Sequence, residues 1–191
     1  MTGVEPDTDP LARQYGAALP RVHRKVSAHL IDWHRRFIAL SPFVVLASGD
    51  GHGNHDASPR GGPPGFVQVL DDVTIALPDA AGNNLLQTLR NLSADPGVGL
   101  LFLIPGLNET LRVNGRAALV LPDHSDWGRL RERWPAERGY RGAMVVTVRE
   151  AYYHCGRASK FSRLWDTGTI DRHRALPPLP KRPPADAAAE A

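Results

Sequence analysis

Cysteine and lysine are both scarce in this chain, and each shortage is informative. A single cysteine, Cys155, among 191 residues excludes an intrachain disulfide framework and any cysteine-built zinc site. No apolar stretch approaches the roughly 20 residues of a membrane span; the run around Val98–Ile104 has the length of a strand. The opening MTGVEPDTDP is acidic and proline-containing, with no basic or apolar leader region, so the chain reads as a cytoplasmic protein without a secretory signal. The common catalytic fingerprints are missing as well. There is no GxxxxGK[ST], no GxGxxG between a strand and a helix, no HExxH and no GxSxG, which argues against P-loop, dinucleotide-fold, zinc-peptidase and serine-hydrolase chemistry. His52 and His55 with Asp56 fall in a glycine-rich hairpin with no third ligand in view, so no metal site is expected. His23, His29 and His34 do not share one helical face.

What is present suits a globular domain. Hydrophobic residues make up 42% and charged residues 23%, enough to bury a core without staples. Net charge is +3 and the pI about 9.3, with three lysines against twenty arginines. Guanidinium is the group for bidentate phosphate and carboxylate recognition, although genome composition can produce the same skew. The densest basic segment, Arg129 to Arg141, interleaves acidic residues rather than a run of stacking aromatics. No nucleic-acid groove is therefore expected.

Along the chain, residues 1–20 read as a flexible extension and 171–191 as a Pro/Ala-rich disordered tail, leaving 21–170 as one folded domain. Val22, Val26, Leu30, Trp33 and Phe37 recur at helical spacing and predict a helix over 22–37. The period then changes. Phe43–Ser48 is a β-branched run ending in Gly49-Asp-Gly-His-Gly-Asn54, a reversing turn with Asn54–Ser58 as its return strand. Phe66–Leu70 and Val73–Leu77 follow as short strands about Asp71-Asp72. Asn84–Leu92 is helical, and Val98–Ile104 is apolar on both faces and predicts a central strand buried on both sides. Strands over Glu109–Leu121 and Ala143–Tyr153 flank a helix near 126–133, and a short helix over Ala158–Leu164 closes the fold. The expected class is mainly β with flanking helices, in a small closed barrel.

Four segments combine chemistry-bearing side chains. In Asp56-Ala-Ser-Pro-Arg-Gly61, a hydroxyl (Ser58) and a guanidinium (Arg60) precede Gly61 and Gly62, which permit close ligand approach. In Leu77–Asn84, Gly82, Asn83 and Asn84 stand before a helix, where free N–H groups favour a phosphate. In Glu109–Gly115, Arg112 and Asn114 are two apart and share a strand face. Tyr153-His-Cys-Gly-Arg-Ala-Ser-Lys160 gathers Arg157 and Lys160, with Trp165 close behind.

The runs SPFVVLAS, DASPRGGPPGFVQVLDD, LPDAAGNNLLQTLRNL, DPGVGLLFLIPGLNETLRVNGRA and HCGRASKFSRLW resemble the pyridoxamine 5′-phosphate oxidase-like, FMN-binding split-barrel family, in particular a bacterial subgroup with SPRGD.PGFV and ETLRVNG signatures. The resemblance spans about residues 20–166 and implies a split β-barrel of the FMN-binding type. It also implies a homodimer with FMN at the subunit interface and an oxidoreductase activity on a small molecule, with a reduced nicotinamide nucleotide as a possible electron donor. The flavin phosphate would take cations and N–H donors from Arg60, Gly82-Asn83-Asn84 and Arg112. The ring's N1 and C2 carbonyl would take donors from Ser58, Asn114, or Arg157 or Lys160 of the partner subunit, and Trp165 would cover the ring face. The alternatives are a flavin-binding or sensing protein without turnover, or a split-barrel reductase using another flavin-like cofactor. Two positions depart from the subgroup: Gly62 stands where Asp is usual, and Arg157 where Lys is common.

Overall fold

The structure, a computed structural model, describes residues 10–16, 25–80 and 85–178. The β-branched run forms strand β1 (Phe43–Gly49), which pairs antiparallel with β2 (His55–Gly61) from Phe43↔Gly61 to Gly49↔His55. One carboxylate builds the turn between them. Asp50 accepts the backbone N–H groups of His52 (2.8 Å) and Asn54 (3.1 Å) and the Asn54 side-chain amide (2.6 Å). Those bonds, the Asn54 amide foremost, hold its carboxyl below the ordinary value. Gly51 and Gly53 take φ of +78° and +99°, a region L side chains rarely adopt.

The remaining elements are α1 (Pro10–Tyr15), α2 (Asp32–Leu40), β3 (Gln68–Val69), β4 (Thr74–Ala80), α3 (Gln87–Ala94), β5 (Gly97–Leu103), β6 (Thr110–Val120), α4 (Trp127–Arg131), β7 (Tyr140–His154), α5 (Arg157–Phe161) and α6 (Thr167–Arg174), with a 3-10 turn at Ala136–Arg138. Seven strands form one antiparallel sheet in the order β2-β1-β5-β6-β7-β4-β3. Four strands separate β2 from β4 in that order, yet Arg60 of β2 and Asp79 of β4 stand 3.2 Å apart. The sheet therefore coils on itself, and these strands meet through side chains. Among the described residues no backbone ladder joins them, so the barrel is split and not closed.

Three local expectations are corrected. The helix expected over 22–37 begins only at Asp32, residues 22–24 lying outside the described set. Ser27 bridges Ala151 through two backbone hydrogen bonds, and the Leu30 N–H donates to the Asp72 carbonyl. The apolar spacing of Val26 and Leu30 thus serves an extended segment docked on the sheet. Strand β5 is central but alternates buried and half-buried residues, so only one of its faces is sealed. Phe66–Leu70 contributes just two strand residues. Of the expected terminal extensions, 1–9, 17–20 and 179–191 lie outside the described residues.

The sealed face carries the core: Val44, Leu46, Leu100, Phe102, Leu111 and Val113, with Phe37 and Ile38 of α2. Each buried aliphatic or aromatic side chain there contributes about 1.5–3 kcal/mol. A second cluster, with Val120, Leu130, Trp134 and Ala143, lies beneath α4; the Trp134 indole donates to the Phe66 carbonyl (2.7 Å). Pairing of β6 with β7 slips between Asn114 and Gly115, since Asn114 faces Glu150 and Gly115 faces Val148. The extra residue, Arg149, inverts the alternation of β7. Val148 and Ala151 are buried, and Glu150 is turned to the opposite face. The slip requires close backbone approach, because a Cβ on Gly115 would stand 2.3 Å from the Thr147 carbonyl oxygen. Gly115→Ala is expected to destabilise by roughly 1–3 kcal/mol through forced separation of the strands; an unshifted urea midpoint would contradict this.

Candidate functional site

Ser58 and Arg60 point to the sealed face of β2, in register with Leu46 and Val44. Helix α3 lies across this end. Its buried Asn91 donates to Ser48 Oγ (3.1 Å) and Asp56 Oδ2 (2.7 Å) and accepts from Gln87 (3.1 Å). The Ser58 and Thr88 hydroxyls are 3.0 Å apart. Beside them Arg60 Nη1 donates to Asp79 Oδ1 at 3.2 Å, across the split, with side-chain exposures of 25% and 16%. Burial pushes the Asp79 carboxyl above its ordinary value, against the pull of Arg60 and Arg141. Arg60 Nε is buried and has no hydrogen-bond partner among the described residues. The guanidinium thus keeps N–H donors that its single bond to Asp79 does not use.

Gly82, Asn83 and Asn84 lie outside the described residues. Helix α3 itself begins at Gln87, after Leu86 in the left-handed region at φ +58°. The glycines after Arg60 differ in role. A Cβ on Gly61 would meet only ordinary contacts, whereas one on Gly62 would stand 2.6 Å from Phe66 Cβ. Any side chain at Gly62 would have to displace the buried Phe66.

Arg112 and Asn114 occupy the opposite face. Arg112 donates to the Tyr152 hydroxyl (2.7 Å) and lies 5.4 Å from its ring centroid, and Asn114 donates to Glu150 (2.7 Å). The Tyr152 and His154 rings are 4.9 Å apart. Burial, then Arg112 and Lys25, hold the His154 imidazole below its usual pKa. Across the sheet this polar group continues into small and apolar residues: Arg112 aligns with Leu101 and Val45, and Asn114 with Gly99, Ala47 and Ala57.

The remaining residues expected at the site, Arg157, Lys160 and Trp165, sit beyond β7. The Arg157 guanidinium carbon is 5.5 Å from the Phe161 ring centroid. Lys160 and Trp165 line a cavity of about 370 Å³ against the β5–β6 loop, where the Trp165 indole donates to the Leu107 carbonyl (2.8 Å). One protomer therefore brings Ser58 and Arg60 together, and Arg112 with Asn114, but holds the pairs on opposite faces. Sequence reasoning missed Asp79, Thr88, Tyr152 and Glu150. Asp79 lay in plain view within Leu77–Asn84, but nothing local marks a carboxylate as half-buried.

Among the described residues no group of three or more His, Cys, Asp or Glu could hold a metal ion, and no helix is long and apolar enough to cross a membrane. The coiled, split antiparallel sheet with a cation in its slit defines the class of the molecule. The profile of the pyridoxamine 5′-phosphate oxidase family matches residues 30–155, and the chain belongs to that family. No curated protein matches it. Among solved structures, HupZ of Group A Streptococcus is similar at 14% identity over 64% of this chain and 91% of that one, with a TM-score of 0.52. An FMN-binding protein from Syntrophomonas wolfei is similar at 15% identity over 63% and 83%, with a TM-score of 0.50. At such identities the likeness concerns the fold.

Proposed function

We propose that the protein is an FMN-dependent oxidoreductase acting on a small molecule as a homodimer. The observation that carries this reading is Arg60, a half-buried guanidinium at the barrel split whose Nε has no partner among the described residues. That donor fits the phosphate of FMN, which carries roughly −1.5 to −2 charge. Bound there, FMN would supply two-electron redox chemistry. Arg60 would hold the phosphate, with the Gly82-Asn83-Asn84 segment as further donors. Ser58, held by Thr88, would serve the ring. The opposed faces favour a dimer, because Arg112 and Asn114 can join Arg60 around one ligand only if a second copy presents them. The name of the Syntrophomonas neighbour lends further support to FMN. A family neighbourhood does not specify a substrate, so the reading stops at the class of reaction.

The test is spectroscopic. Protein reconstituted with FMN is expected to bind one flavin per chain, and NADH or NADPH is expected to bleach it with steady turnover in air. Absence of flavin binding at micromolar concentrations would overturn the reading. Binding without turnover against nicotinamide and amine donors would leave a flavin carrier in place of an enzyme.

A further inference from the structure

Between α2 and the ends of β5 to β7 lies an open cavity of about 830 Å³, within the roughly 300–1,000 Å³ of small-molecule sites. Its wall is aromatic. The Trp33 ring is 5.1 Å from Phe37 and 5.7 Å from Tyr153. The cavity is separate from the barrel split. Tyr153 and Arg60 end one cross-strand row, Tyr153–Leu111–Phe102–Val44–Arg60, four strand spacings of about 4.8 Å along the sheet.

Three features describe what would fill it. Trp33 and Tyr153 remain 42% and 41% exposed, so both rings keep part of their surface available for aromatic contact. Charge is mainly positive: Lys25 Nζ sits 4.8 Å over the Tyr153 ring, and Arg36 lines the cavity, against one acid, Glu109. His34 is 1% exposed, lines the cavity, and leaves Nδ1 without a partner among the described residues. Burial holds the imidazole below its usual pKa. In a neutral imidazole one ring nitrogen accepts, and the unpartnered Nδ1 is free to take that part. The Trp33 ring meets the His34 ring edge-on, their centroids 5.8 Å apart.

We propose that this cavity is a second ligand site, taking a planar aromatic acid that carries a ring N–H or O–H donor. The ring would stack on Trp33 and Tyr153, the acid group would meet Lys25 and Arg36, and the donor would satisfy His34. None of this depends on flavin occupying the barrel split.

The experiment is calorimetric titration of the full chain with indole-3-carboxylate, which has all three elements, and with indole and naphthalene-1-carboxylate, which lack the acid and the donor. Each deletion is expected to weaken binding about tenfold. Trp33→Leu should weaken all three probes, and Arg36→Gln should narrow the gap between indole-3-carboxylate and indole. Saturating FMN and Arg60→Ala should leave binding of the acid unchanged. Equal affinity for the three probes, or no heat up to millimolar concentration, would overturn the proposal. Displacement by FMN would assign the probe to the flavin site, and a change of sedimentation in Trp33→Leu would assign the cavity to a second copy; either result defeats it.

Discussion

Arg60→Ala is expected to weaken FMN binding roughly 10–150-fold, the worth of a charge-assisted hydrogen bond of about 1.5–3 kcal/mol. The structure adds a cost that a solvated strand-end arginine would not carry. Arg60 is the hydrogen-bonded partner of Asp79 across the barrel split, so its removal leaves a half-buried carboxylate with only the more distant pull of Arg141, at about 1–3 kcal/mol. The Asp79 carboxyl is already pushed up by burial, and taking up a proton limits that loss at low pH. Stability and affinity can therefore be separated. Adding Asp79→Asn to Arg60→Ala should recover stability in urea unfolding without recovering FMN. Arg60→Lys should keep part of the charge effect but lose the fork geometry. Flavin titrations giving equal dissociation constants for wild type and Arg60→Ala would remove this residue from the site, whatever the unfolding curves show.

Local rules carried the strand-and-turn content of the sequence further than its long-range geometry. The Gly49–Asn54 reversal was legible because Asp50, Gly51, Gly53 and Asn54 are the residues such a turn demands. Strand β5 was legible as a central strand from its apolar run. The helix of 22–37 failed because its spacing at Val26 and Leu30 also fits an extended segment held by Ser27, Ala151 and Asp72, and periodicity alone does not tell the two apart. The candidate site shows the same limit. Ser58 and Arg60 could be read as one face of a strand, and Arg112 and Asn114 as another, from alternation alone. That the two pairs lie on opposite faces depends on the pairing of β2, β1, β5 and β6, which no local pattern specifies. Glu150 was hidden for a related reason: the slip at Arg149 reverses the alternation that would otherwise bury it with Val148. Asp79 acquires its role only because the sheet coils far enough for β4 to meet β2.

Ala47→Arg is expected to turn the protein into a 20.8 kDa monomer and to lower flavin affinity with it. Ala47 lies in the row Asn114–Gly99–Ala47–Ala57 on the unsealed face, where small side chains leave room for close contact with another copy. It is exposed in the protomer, so an arginine there should not disturb folding, and the unfolding free energy, compared at dilutions where both proteins are monomeric, should stay within about 0.5 kcal/mol of wild type. In a dimer that buries this face, the same arginine would be desolvated without a partner, a cost of several kcal/mol. That corresponds to a dimer dissociation constant raised at least roughly 100-fold. Because Arg112 and Asn114 share the face, dissociation should also remove them from the partner's flavin, so affinity should fall even though Arg60 and Ser58 are untouched. Sedimentation velocity with and without FMN reads both effects. A variant that still sediments as a dimer would place the interface elsewhere, and a monomer retaining wild-type FMN affinity would confine the whole site to one protomer.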